Sequence, residues 1–219
     1  MKTEKKILSK EVISWAFYDW ANSAFATTVI AGFFPIFFKS FWANSLSDTE
    51  STALLGIANS LSGFFILIFA PFLGALADIT FKKKYMLVFF MLIGAGSTAS
   101  FFLIYEGYWM IAMIAYILAS IGFSGGNIFY DSLIIDVSND QSRNQVSALG
   151  YAMGYLGGGI LFVVNVLMYL QPEIFGLASE IDAVLFSFLS VAIWWSIFTL
   201  PLIKFVKESK GEITSLSLA

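Results

Sequence analysis

The sequence predicts an all-α polytopic membrane protein with six transmembrane helices, on three observations. Hydrophobic residues make up 58% of the 219-residue chain and charged residues 12%, about half the roughly 25% charge of a soluble domain. Six apolar runs are each long enough, at roughly 20 residues, to cross about 30 Å of hydrocarbon. None alternates with the period of a strand, and a span in lipid must satisfy its backbone groups internally, so each run is expected to be a helix. A soluble binding module or a nucleic-acid partner is thereby excluded, and the lipid bilayer is the first partner implied. The chain contains no cysteine and no histidine. Disulfides, thiol chemistry and the usual neutral-pH proton carrier and metal ligand are therefore absent, and no metal site, cofactor or catalytic residue is expected.

The elements follow in order. The first span, 13–38, sits behind Lys2, Lys5, Lys6 and Lys10 and carries WAFYDWANSAFATTVIAGFFPIFF from Trp15 to Phe38. Its length and the lack of a small-residue cleavage site make it a retained span, not a signal peptide. Asp19 and Asn22 interrupt its first turns, and Pro35 should bend it. The second, 52–77, contains Pro71; the third, 85–105, starts behind Lys82, Lys83 and Lys84; the fourth is 108–135, the fifth 146–170 and the sixth 183–203. Lysine and arginine gather before spans one, three and five and after span six. The positive-inside rule then places both termini in the cytoplasm, in a cell membrane. Residues 1–203 read as one six-helix bundle and 204–219 as a polar cytoplasmic tail, expected to fray. Small residues at helical spacing, Gly94 with Thr98, Gly96 with Ser100, Gly122 with Gly126, and Gly150 with Gly154, are expected to let helices approach closely in lipid.

Three patterns bear on function. GFSGG, Gly122 to Gly126, resembles the glycine-flanked serine of rhomboid intramembrane proteases, but a chain without histidine leaves Ser124 without its base. A close-packing role is preferred. LGALADITFKKKYM, Leu73 to Met86, resembles the loop signature of the major facilitator superfamily at Gly74, Asp78, Lys82 and Lys83, with Ile79 and Phe81 departing from it. In that reading Gly74 packs tightly at a helix end, Asp78 offers its charge to a helix terminus or a cation, and the lysines anchor the turn at the lipid surface. GYAMGYLGGG is similar to the glycine motif of superfamily exchangers at Gly150, Gly154, Gly158 and Gly159, with Tyr155 in place of a proline.

SWAFYDWANSAFATTV, NIFYDSLIIDV and RNQVSALGYAMGYLGGG together resemble the vacuole effluxer (autophagy-related permease) family of that superfamily. Ile135 stands where the family often has proline before Asp136, so no local break is expected there. The resemblance implies one six-helix half, the N-terminal one, of a major facilitator fold, and a secondary transporter of small solutes, with amino-acid efflux and a proton gradient as the implied substrate class and driving force. It also implies a partner, a C-terminal six-helix half or a second copy. The alternative is a membrane scaffold that no longer transports.

A charge at a helix centre costs on the order of 3 kcal/mol and normally faces a cavity or a partner. Asp19 lies about 9 Å in from the start of the first span at 1.5 Å per residue, and Asp131 lies at a similar depth on the fourth. The resemblance implies that both face a central cavity, with Asn22, Asn59, Asn127, Tyr130 and Asn165 as further polar groups. Two carboxylates in a low-dielectric site resist double ionisation, so one of them can carry a proton. The plainer reading has Asp19 pairing with Lys10 or snorkelling beside Trp15 and Trp20. Asp136, Asp140 and Arg143 are expected to form a solvated loop network.

Overall fold

A computed structural model describes residues 8–80 and 82–208, apart from the side chains of residues 77–80. Helix α1 spans Lys10–Trp42, α2 Asp48–Thr80, α3 Lys83–Ser100, α4 Trp109–Ser132, α5 Arg143–Leu170 and α6 Glu180–Phe205. All six are long and apolar enough to cross a membrane, and no strand occurs among the described residues.

Helix α1 starts at Ser9, whose Oγ accepts the Val12 amide at 3.3 Å. It then widens into π-helix at Phe25–Phe33 and again at Phe38–Trp42. Pro35 sits between these stretches. Having no N–H, it cannot complete the ladder, and the chain passes it on wide turns rather than breaking. Thr27 helps hold the widened region by donating Oγ1 to the Ser23 carbonyl at 3.1 Å and to the Gly158 carbonyl of α5 at 3.1 Å. Pro71 and Pro201 lie inside α2 and α6, which continue through them.

Glycines set the helix spacing, as lipid demands. A Cβ on Gly122 of α4 would land on the Gly94 backbone of α3, and one on Gly94 would strike the Trp195 indole of α6. Gly96 faces open space, so the close approach expected of Gly96 with Ser100 is not made among the described residues. Phe34, Trp42, Phe101, Tyr116 and Phe188 fill one end of the core; the Phe34 and Tyr116 rings stack at 4.2 Å. Helix α2 is the least embedded element. Only 11% of its most apolar stretch is buried, against 39–44% in α1, α3, α4 and α6, and Phe64, Leu67 and Phe72 stand exposed on it.

The end holding the starts of α1, α3 and α5 corrects three expectations. Lys83 is buried, not at the lipid surface: its Nζ lies 3.0 Å from Asp136 Oδ2 and 3.2 Å from the Ser132 carbonyl. Asp136 is likewise buried, so only Asp140 and Arg143, paired at 2.7 Å on the surface, form the solvated network. The chain also breaks without a proline. Helix α4 stops at Ser132, Leu133 turns, and a short helix Ile134–Val137 follows. That turn re-aims the chain so that Asp136 points at Lys83.

The segment after α6 is docked rather than frayed as far as Glu208. Glu208 accepts the backbone amides of Lys83 at 3.0 Å and Lys84 at 2.9 Å, capping α3 from 124 residues away in sequence. Lys84 Nζ returns the contact by donating to the Val206 carbonyl at 2.7 Å. A carboxylate on a helix N-terminus satisfies orphan amides and favours the dipole. Glu208→Ala is expected to cost about 1 kcal/mol, seen as a lower unfolding temperature of the detergent-purified chain by circular dichroism. An unchanged midpoint would mean that the cap contributes nothing.

Candidate functional site

Helices α1, α4 and α5 enclose a cavity of about 260 Å³ whose lining includes Trp15, Asp19, Asn127, Tyr130, Asp131 and Tyr151. The sequence places these groups by helical spacing. Trp15 and Asp19 are one turn apart on α1, and Asn127, Tyr130 and Asp131 lie within a turn on α4. The two carboxylates line this one cavity. Asp19 is half-buried and accepts a hydrogen bond from Ser23 Oγ at 3.0 Å; Asp131 is exposed to the cavity mouth. Lys10 stands 3.6 Å over the Phe205 ring, and no lysine or arginine pairs with either carboxylate among the described residues.

The floor is aromatic. Tyr130 stacks on Trp15 with ring centroids 4.3 Å apart and planes 10° from parallel, and Trp15 Nε1 donates to the Tyr130 carbonyl at 3.0 Å. The Tyr130 ring is 5% exposed, and its hydroxyl makes no hydrogen bond among the described residues. Asn22 is buried behind the cavity and donates Nδ2 to Asn127 Oδ1.

Two expected neighbours are elsewhere. Asn59 on α2 accepts the Tyr116 hydroxyl at 2.9 Å and does not line the cavity. Asn165, fully buried, accepts Ser190 Oγ at 3.0 Å and lies 3.4 Å from Thr28 Oγ1, tying α5 to α6 and α1. Both amides hold helices together. A larger apolar cavity of about 340 Å³ at the far ends of α1 and α5 has Glu180 as its one charged lining group.

The α5 glycines carry α5 against the acidic helix. A Cβ on Gly154 would lie 2.7 Å from Ser23 Oγ and 2.9 Å from Asp19 Oδ1, one on Gly150 would lie 2.7 Å from the Tyr130 hydroxyl, and one on Gly158 would lie 2.9 Å from the Ser23 carbonyl. Gly159 meets nothing within 4 Å. Its place in the motif is taken structurally by Gly157, against the Trp20 backbone and indole. Trp15, Ile134, Ser147, Tyr151 and Gly157 are the residues the sequence reading missed; Ser147, Tyr151 and Gly157 lie within about a turn of Gly150 and Gly154 on α5, and that spacing was the available signal.

The family pattern described as vacuole effluxer Atg22 like matches residues 42–137 and 135–217, most of the chain. The chain belongs to the vacuole effluxer Atg22-like family. Within the curated proteins it is 38% identical over 205 residues to the MFS-type transporter YxiO of Bacillus subtilis (strain 168), covering 93% of this chain and 48% of YxiO. It is 21% identical over 238 residues to autophagy-related protein 22 of Eremothecium gossypii, covering 89% of this chain and 46% of that one. An inward-open structure of the xylose transporter XylE from E. coli superposes with a TM-score of 0.61 at 18% identity, covering 91% of this chain and 47% of XylE. At that identity the likeness is one of fold: this Atg22-like bundle is one half of a major facilitator fold. The chain spans about half the length of the relatives it matches.

The loop signature of this family member has its own arrangement. Gly74 meets nothing within 4 Å, so the tight packing expected there is not made among the described residues. The Asp78 side chain lies outside the described residues. Lys82 is exposed at the start of α3, while Lys83 turns inward.

Proposed function

We propose that this chain is one half of a secondary transporter for small solutes, and that the cavity between α1, α4 and α5 is its share of the solute and proton site. The observation that carries the reading is the pair of carboxylates, Asp19 and Asp131, lining one cavity in membrane-spanning helices with no basic side chain paired to either among the described residues. Charge so placed costs free energy that a purely structural bundle has no reason to retain. A non-transporting scaffold would be better served by apolar residues there, and that reading is not favoured. In this proposal a second six-helix bundle, a C-terminal half or a second copy, closes the cavity. Alternating access rocks the two halves about the fixed site, with the glycine face of α5 sliding on α1.

The proposed cargo is an amino acid moved outward across the cell membrane, with both termini cytoplasmic and a proton gradient as the driving force. The family's description as effluxers and the basic residues at one end of the bundle support this direction and orientation. Coupling follows from the carboxylates: with two in one low-dielectric cavity, solute binding and proton binding exclude each other. In everted vesicles containing the chain and its second half, adding single amino acids is expected to collapse a preformed pH gradient. Asp19→Asn is expected to abolish this response while leaving the chain in the membrane at wild-type amounts. A response that survives Asp19→Asn with the same pH dependence would remove Asp19 from coupling.

A further inference from the structure

We infer that the cavity between α1, α4 and α5 selects an ammonium group, so that the solute is a primary amine held by Asp19 and Asp131 against the stacked Trp15–Tyr130 pair. The inference rests on the solute-site reading above and adds the chemical class that the site admits.

The first support is a charge census. Lys10 lies over the Phe205 ring, Lys83 pairs with Asp136, Lys84 donates to the Ile203 and Val206 carbonyls, and Arg143 pairs with Asp140. Each of these four cations is turned to another group, and Lys82, Lys204 and Lys207 at the same end do not line the cavity. Among the described residues, the cavity lining contains two carboxylates and no lysine or arginine. An anionic group would meet repulsion with no counter-charge, and a neutral solute would leave the carboxylates uncompensated. A cation relieves both.

The second support is independent of the carboxylates. The Tyr130 hydroxyl, on a side chain 5% exposed that lines the cavity, has no hydrogen-bond partner among the described residues. A buried hydroxyl left unpaired costs free energy unless a ligand or water meets it. An ammonium group has three donors, and the cavity offers acceptors in the Asp19 and Asp131 carboxylates. At about 260 Å³, the space accommodates an amine with a short side chain. A solute that also carries a carboxylate would have to place that group outside this cavity.

The test uses the chain in nanodiscs and three probes of one shape and different charge: n-butylammonium, butyramide and butyrate. Binding is read by isothermal titration and by quenching of tryptophan fluorescence. Butylammonium is expected to bind saturably and the other two at least tenfold more weakly. Asp19→Asn and Asp131→Asn are each expected to weaken butylammonium at least tenfold, and Tyr130→Phe by a smaller factor, with circular dichroism unchanged. Butyramide binding as well as butylammonium, or butylammonium affinity unmoved in both Asn variants, would overturn the ammonium assignment while leaving the cavity as a solute site. Failure of all three probes would overturn the ammonium assignment; the solute-site reading falls only if single amino acids also leave the pH gradient untouched in vesicles that contain the second half. Butylammonium binding without proton flux in vesicles would keep the assignment and remove only the coupling.

Discussion

Replacing Lys83 by methionine is expected to be among the most damaging single changes in the bundle, at about 3–5 kcal/mol of stability. The side chains of Lys83 and Asp136 are 8% and 2% exposed, and their charged atoms lie 3.0 Å apart. Lys83→Met leaves the ammonium's place to a thioether of similar length and removes the 3.0 Å Lys83 ion pair from the buried Asp136 carboxylate. The pair itself need not be stabilising relative to apolar residues, because burying both ions already carried a large desolvation cost. The double substitution Lys83→Met with Asp136→Leu is therefore expected to recover most of the loss. Lys82→Met, one residue away and exposed, is the control and is expected to change nothing. Thermal unfolding of the four proteins in one detergent decides the matter. A Lys83→Met midpoint equal to wild type would mean that the pair is energetically idle.

That pair also marks where sequence reasoning stopped. Six spans were legible because lipid imposes one rule on every backbone group, and the apolar runs reported it directly. The shared cavity of Asp19 and Asp131 followed from depth along two helices together with the family resemblance. Asn59 was misplaced because a polar residue in a span signals only that it needs a partner, and its partner turned out to be Tyr116. Lys83 was misread because three successive lysines at a loop look alike, while helix phase alone chooses which one points inward. Glu208 was invisible for a related reason: its cap on α3 is a contact across 125 residues to Lys83, and no local pattern announces it. The turn at Leu133 had no proline to betray it, and it exists because Leu133 hands its amide to the Phe129 and Tyr130 carbonyls, at 3.1 Å each.

Two glycines on α5, two residues apart, should respond oppositely to the same substitution. Gly157→Ala is expected to cost about 1–3 kcal/mol as overpacking and to disable transport in the assembled protein, because the new methyl meets the Trp20 carbonyl and lies 2.6 Å from the Trp20 indole carbons. Trp20 has no easy retreat: its carbonyl accepts Trp194 Nε1 at 3.2 Å and its ring stacks on Trp194 at 5.8 Å. Helix α5 must then move away from α1, and the Gly154 contact with Asp19 loosens with it. Gly159→Ala adds its methyl to open space, where the better helix propensity of alanine, up to about 1 kcal/mol, is the only change. Stability is expected to hold or rise, and any loss of transport in Gly159→Ala would then report a surface used by the other half rather than by this one. If Gly157→Ala matched wild type in both unfolding temperature and transport, the α1–α5 contact would be looser than the structure has it, and Asp19 would owe its position to Ser23 alone.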